Sequence, residues 1–223
     1  MKILCIADNK DPLIYSHYLK ERCKNIDLVL SAGDLDLEYY GYIVSVLNKP
    51  LYYVFGNHNL KFYPYIAKKN QHMPYDRNAL TPVPSFGSMH IDRKVVKHNG
   101  LLIAGLGGSL RYNRGENQYT DFQMYMKIFR MIPKLIYNKL KYGRYLDILL
   151  THATPLGIHD QPDRCHTGFR AFVWFLKKFQ PRFHIHGHIH IYDINKQRKS
   201  KFHKTTIINA YNHIVVDTEK DHD

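Results

Sequence analysis

Apolar runs recur along the chain, each short, rich in branched or aromatic side chains, and each ending abruptly in a polar residue. Lys2–Ala7 ends in Asp8, Ile26–Ser31 in Gly33-Asp34, and Leu51–Phe55 in Gly56-Asn57-His58. Leu146–Leu150 ends in Thr151-His152, and Phe183–His186 in Gly187-His188. Runs of this length without polar alternation predict strands buried on both faces. Leu13–Arg22, Glu38–Leu47, Tyr119–Leu140 and Phe169–Phe179 have helical spacing and lie between them. That alternation predicts an α/β fold. Three more strands are expected: Leu101–Ala104, running into glycines, and His190–Ile194 and Lys204–Ile208 on either side of the basic segment 196–201.

Within Tyr119–Leu140, Phe122, Tyr125, Met126, Phe129, Ile132 and Ile136 recur at helical spacing and are read as the inward face, with Lys127, Arg130 and Lys134 on other faces. Pro133 should kink this helix or split it in two. A basic amphipathic helix suits either a membrane surface or packing against a sheet, and packing is the preferred reading. At 223 residues the chain can bury a core in one domain, 1–223, and no linker, repeat or low-complexity tract divides it. No apolar run is long enough to span a bilayer, so no integral membrane association is expected. The chain opens directly on a strand instead of a signal peptide, which makes cytoplasmic the expected localisation.

The strand ends carry the chemistry. An α/β sheet places its ligands in loops beyond the carboxyl ends of its strands. Asp8, Asp34, Asn57, His152 and His188 occupy such loops. This mixed oxygen and nitrogen set suits borderline divalent ions such as manganese, iron or zinc, and the lack of thiolates argues against a structural zinc knot. The three cysteines, Cys5, Cys23 and Cys165, form no close pair, and Cys5 inside the first strand reads as a small buried hydrophobe.

Taken in order, Asp8, Gly33-Asp34, Gly56-Asn57-His58, His152 and Gly187-His188-Ile189-His190 resemble the five-block signature of the calcineurin-like metallophosphoesterase superfamily. The resemblance runs to residue 190 and implies a four-layer αββα sandwich, in which two mixed β-sheets are flanked by helices and divalent ions, two in the family, sit at the strand ends. On that pattern Asp34 bridges both ions, Asn57, His152 and His188 complete the second site, and Asp8 and His190 hold the first. His58 does not touch metal but faces the scissile ester, where it protonates the departing oxygen or stabilises the charge on the phosphoryl group. The implied reaction is hydrolysis of a small phosphodiester or phosphomonoester by a hydroxide that cations about 3.5–4 Å apart make available near neutral pH. Two alternatives stay open: a non-catalytic or weakly active relative that binds metal or phosphate, and a nuclease of the same family.

One position departs from the pattern. The family's first block is Asp-x-His, and here it reads Asp8-Asn9-Lys10. A protonated lysine has three donors and no acceptor and cannot ligate a cation, so the first ion lacks a ligand. The ammonium can stand in part for that ion, the ion can bind weakly with water in the gap, or Lys10 can turn outwards.

Lys10 is therefore a substrate-binding candidate, as are two residues in other loops. Arg111 follows the glycines of Gly105–Ser109, where it can fork two hydrogen bonds onto a phosphate or serve a surface ion pair. His166 belongs to the long segment Thr151–Phe169, with Asp160 and Asp163, which is read as pocket rim or as a loop held by its own hydrogen bonds. In the alternating run His184–His190, the bet rests on His188 and His190, with His186 as a hydrogen-bonding support and His184 a strand residue. The formal charge of +13 favours anionic small-molecule substrates. It leaves nucleic acid open without selecting it, because the basic residues are spread along the chain and the densest, 196–201, reads as a solvated hairpin.

Overall fold

The computed structural model describes residues 1–66, 87–193 and 197–221. The first stretch runs β1 (Lys2–Ala7), α1 (Leu19–Arg22), β2 (Leu28–Ser31), α2 (Leu37–Leu47), β3 (Leu51–Tyr53) and α3 (Tyr63–Ile66). The second runs β4 (Ser88–His90), β5 (Val95–His98), β6 (Leu101–Leu106), β7 (Ser109–Leu110), β8 (Gln118–Tyr119), α4 (Asp121–Phe129), α5 (Ile132–Tyr142), β9 (Ile148–Thr151), α6 (Arg170–Phe179) and β10 (Phe183–His186). The last adds β11 (Lys199–Phe202), β12 (Thr205–Asn209) and β13 (Asn212–Asp217).

Two mixed sheets result. One has the order β13-β1-β2-β3-β4 and the other β11-β12-β10-β9-β6-β5, with β7 and β8 as a small separate pair. β1, β2 and β3 are parallel in the first sheet, and β6, β9, β10 and β12 are parallel in the second. The pleat sorts each strand's apolar residues onto two faces. Ile3 and Cys5 join Leu28, Leu30, Ile103, Ile148, Leu150 and Ile185 between the sheets. Leu4 and Ile6 point the other way, against Leu19, Leu37, Tyr40 and Ile43 of α1 and α2. Leu149 likewise turns outwards to Met124, Ile128, Leu135, Phe172 and Phe175 of α4, α5 and α6. Helices thus cover the outer face of each sheet, the expected αββα sandwich, and this double covering explains why the strands read as unbroken apolar runs.

Some elements differ from expectation for local reasons. Leu13–Arg22 is helical only from Leu19, because Asp11 accepts a bond from the Leu13 amide and Ser16 donates to Leu13 O, which hold the preceding residues in turns. Tyr119–Leu140 is split at Arg130–Met131, with Pro133 in the first turn of α5, where its missing N–H costs nothing. α4 opens on a capping box between Thr120 and Gln123. The inward face of these two helices is corrected: Met124, Lys127, Ile128, Met131 and Leu135 are buried, while Phe122, Met126, Phe129 and Ile136 are exposed. Lys127 can turn inwards because its Nζ meets Asp92 Oδ1 at 3.0 Å and Gly107 O at 2.9 Å.

The basic segment is corrected too. Lys199–Phe202 is itself a strand, paired antiparallel to β12. Residues 190–193 have no regular structure, and Ile194 and Lys196 lie outside the described residues. Among the described residues no helix is long and apolar enough to cross a membrane.

Candidate active site

The chemistry-bearing residues stand just past the carboxyl ends of parallel strands: Asp8 after β1, Asp34 after β2, Asn57 and His58 after β3, His152 after β9 and His188 after β10. Backbone bonds from Asp8 N to Gly33 O and from Gly187 N to His152 O tie neighbouring loops within each sheet, and the bonds of His188 N with Asp8 and of His152 Nδ1 with Ala32 O join the loops of one sheet to those of the other. Asp8, Asp34 and His188 have φ of 68°, 58° and 68°, a left-handed conformation that costs non-glycine residues energy and concentrates at functional sites. Glycine is required at position 56, where a Cβ would lie 2.0 Å from Asp34 Oδ1 and 2.5 Å from His152 Cε1.

Asp34, His152 and His188 are buried and offer ligand atoms within 4.8 Å of one another. His152 Nε2 is 3.3 Å from Asp34 Oδ2, 3.1 Å from Asn57 Oδ1 and 3.1 Å from His188 Nδ1. The other nitrogen of each ring faces a backbone carbonyl, His152 Nδ1 at Ala32 O (2.8 Å) and His188 Nε2 at Cys165 O (2.8 Å). A carbonyl only accepts, so those nitrogens carry the protons, and the two inward nitrogens present lone pairs beside a carboxylate and an amide oxygen. Four acceptors converge with no donor between them. Such a gap is filled by one proton or by a cation, and imidazoles held from behind by carbonyls are the usual support of metal-ligating histidines. The donor set therefore fits a divalent ion.

Without a cation, a proton fills this gap. Burial works against a charged His152, but the Asp34 carboxylate and its hydrogen bond outweigh it and hold the imidazole up at about 9. Burial pushes Asp34 up, and the charge of His152, with the bond from the His58 amide (2.8 Å), brings it down to about 2. Burial, then the charge of His152, lowers His188 to about 3. Asp8 is raised to about 7 by burial, and both its oxygens accept from the His188 amide at 3.0 Å. A Cβ on Gly187 would lie 2.8 Å from its Oδ2.

The remaining sequence candidates are dispersed around this core. His58 exposes its side chain at the rim while its backbone is tied to Asp34. His190 stands apart from the four-acceptor cluster, stacked on Tyr211 at 4.9 Å with Nδ1 at Tyr192 OH (2.8 Å). Lys10 turns to Asp36, Nζ to Oδ2 2.6 Å, and both side chains are about half exposed. Arg111 bonds Gln118 O and Gln123 Oε1, away from the cluster. His166 lies beside it, its ring 5.4 Å from that of His188 and its Nδ1 at Asp163. With Gln161, His190, Tyr192 and Asp193 it lines a cleft of about 350 Å³. His186 contacts His159 and Gly187 O, and His184 contacts Thr151, both on the side facing α6.

Two contacts were not legible in the sequence. Tyr112 OH accepts from Asn57 Nδ2 at 3.1 Å, which orients the amide so that its oxygen faces His152. Asn117, buried, donates through Nδ2 to Phe55 O (3.1 Å) and Gly56 O (2.6 Å) and so fixes the loop that carries Asn57. The only available signal was their position after the glycine-rich stretch that ends β6.

Comparisons with known proteins follow the same line. Among curated proteins none matches this sequence. One solved structure, 15% identical, overlays 99% of this chain and 96% of its own with a TM-score of 0.68. Another, TT1561 of Thermus thermophilus, is 13% identical over 98% of this chain and 94% of its own, with a TM-score of 0.61. These likenesses establish the fold. The model of the calcineurin-like phosphoesterase family matches residues 1–192, and the chain belongs to that family.

Proposed function

We propose that the chain hydrolyses a small phosphate ester, a phosphodiester or phosphomonoester, with a divalent metal held by Asp34, Asn57, His152 and His188. The observation that carries this reading is the convergence of four buried atoms of Asp34, Asn57, His152 and His188, all of them acceptors when both imidazoles are neutral. The family to which the chain belongs is a phosphoesterase family dependent on divalent metal. A bound cation there would neutralise phosphate oxygens and lower the pKa of a water.

The chain's own residues supply the rest. Ala32 O and Cys165 O hold the imidazoles in the tautomers that keep Nε2 of His152 and Nδ1 of His188 free for a cation. Asp34, between the two sheets' loops, is the carboxylate able to serve two ions, with Asp8 and His190 toward the first. His58 is the proton donor for the departing oxygen, and its backbone bond to Asp34 Oδ1 keeps the loop in register with the cluster. The cleft beside His166 and His190 has the dimensions of a small-molecule site. The Lys10–Asp36 contact supports the outward reading of Lys10, which leaves the first ion the weaker.

A manganese-supplemented screen of the purified chain against bis(p-nitrophenyl) phosphate, p-nitrophenyl phosphate, cyclic nucleotides and short oligonucleotides tests the proposal. Turnover of the small esters that is abolished by chelator and restored by manganese is expected. Inertness toward all of them would overturn hydrolysis, and turnover of oligonucleotides alone would replace the small ester with a polynucleotide.

A further inference from the structure

α4, α5 and α6 all pack on the outer face of the six-stranded sheet through Met124, Ile128, Leu135, Phe172 and Phe175. Their opposite faces therefore look out on the same side of the molecule. That side is unusual for a solvated surface. Phe122 is 73% exposed, Phe129 45%, Ile136 48% and Leu140 82%. From Phe122 to Arg144 the sequence contains no Asp or Glu, and α6 contains none. Arg130, Lys134, Lys139, Lys141, Lys177 and Lys178 accompany the apolar residues, all exposed, and none is paired with a carboxylate among the described residues. The one acidic residue at the start of α4, Asp121, accepts from the Ala171 amide.

We infer that this face docks the protein peripherally on an anionic lipid bilayer. Large apolar side chains amid cations without carboxylate partners match the two attractions of such a surface, insertion at the headgroup boundary and contact with negative headgroups. A second copy presenting the same face would set cation against cation. A polynucleotide would engage the lysines and leave Phe122 and Leu140 in water.

Co-sedimentation of the full chain with vesicles tests the inference. Binding is expected to vesicles of phosphatidylcholine mixed with phosphatidylserine, to be far weaker with phosphatidylcholine alone, and to fall as salt rises. The double variant Phe122→Ser/Leu140→Ser preserves the charge, and should weaken binding by at least about tenfold. Lys139→Gln/Lys141→Gln should also weaken it, whereas Lys20→Gln/Lys24→Gln, on the other side of the sandwich, should not. All three changes fall on exposed positions, and an unchanged thermal midpoint checks that each variant is folded. Absence of binding to the anionic vesicles overturns the inference. Binding unaffected by the serine substitutions overturns it as well, because adhesion by net charge alone, or a polyanion such as nucleic acid or an acidic protein, would then account for the cations.

Discussion

Gly56 shows how closely the candidate site is set by single residues. Its missing side chain is the space that Asp34 and His152 use to approach one another, so Gly56→Ala should separate them and reduce manganese affinity by at least about tenfold without unfolding the chain, as read by calorimetric titration. Undiminished affinity would mean the cluster is not the metal site. His58→Ala should retain metal and lose about 10²–10⁴-fold in turnover, the loss shrinking for substrates with good leaving groups. Equal losses for good and poor leaving groups would count against proton donation. Asp8, Asp34, Asn57, His152 and His188 were legible because their positions are fixed by strand ends, which apolar runs reveal. The directions taken by Lys10, Arg111 and His190 were not, because Asp36, Gln123 and Tyr211 set them and these partners follow from the folded loops. Tyr112 and Asn117 reach residues 55 and 61 positions away, a link no local pattern carries.

At the scale of elements, strands were read more faithfully than helices. A doubly covered strand is apolar throughout, whereas α4 carries apolar residues on both faces and its buried side includes a lysine. The Asp92–Lys127 pair resolves that conflict, fixing α4 to the turn at Gly107, whose amide also donates to Asp92 Oδ1 at 2.8 Å. Removing one partner leaves a largely buried charge, and Arg93 at Asp92 Oδ2 offsets only part of it. Lys127→Met should therefore cost about 3 kcal/mol in urea unfolding. The double variant Lys127→Met/Asp92→Asn should recover part of the loss. A single variant as stable as the original chain would show that Lys127 does not anchor the helix.

For the molecule as a whole, β12 and β13 matter because they lie beyond the residues of the family match yet belong to the two large sheets. Two strands of these sheets carry neutral histidines, His90 on β4 and His184 on β10. Burial lowers His90 to about 4 and His184 to about 3, and a ring nitrogen of each has no hydrogen-bond partner among the described residues. With folded values below the ordinary 6.5, the unfolded chain takes up protons first. Their contribution is complete above about pH 6.5 and is lost as pH falls toward 4 and 3. For His90 this amounts to roughly 3 kcal/mol across that window. His90→Phe, which keeps the ring against Tyr53 and Phe55, should flatten the acid limb of a stability profile, and an unchanged slope would remove His90 from the account.

The central claim, that the buried acceptors of Asp34, Asn57, His152 and His188 hold a divalent cation, is tested most directly by elemental analysis of the chain after loading with manganese and exhaustive dialysis, beside His188→Ala treated alike. At least one tightly held ion per chain is expected in the unmodified protein, and its loss in the variant. An unmodified chain that retains no metal, or a variant that retains as much, would contradict the claim.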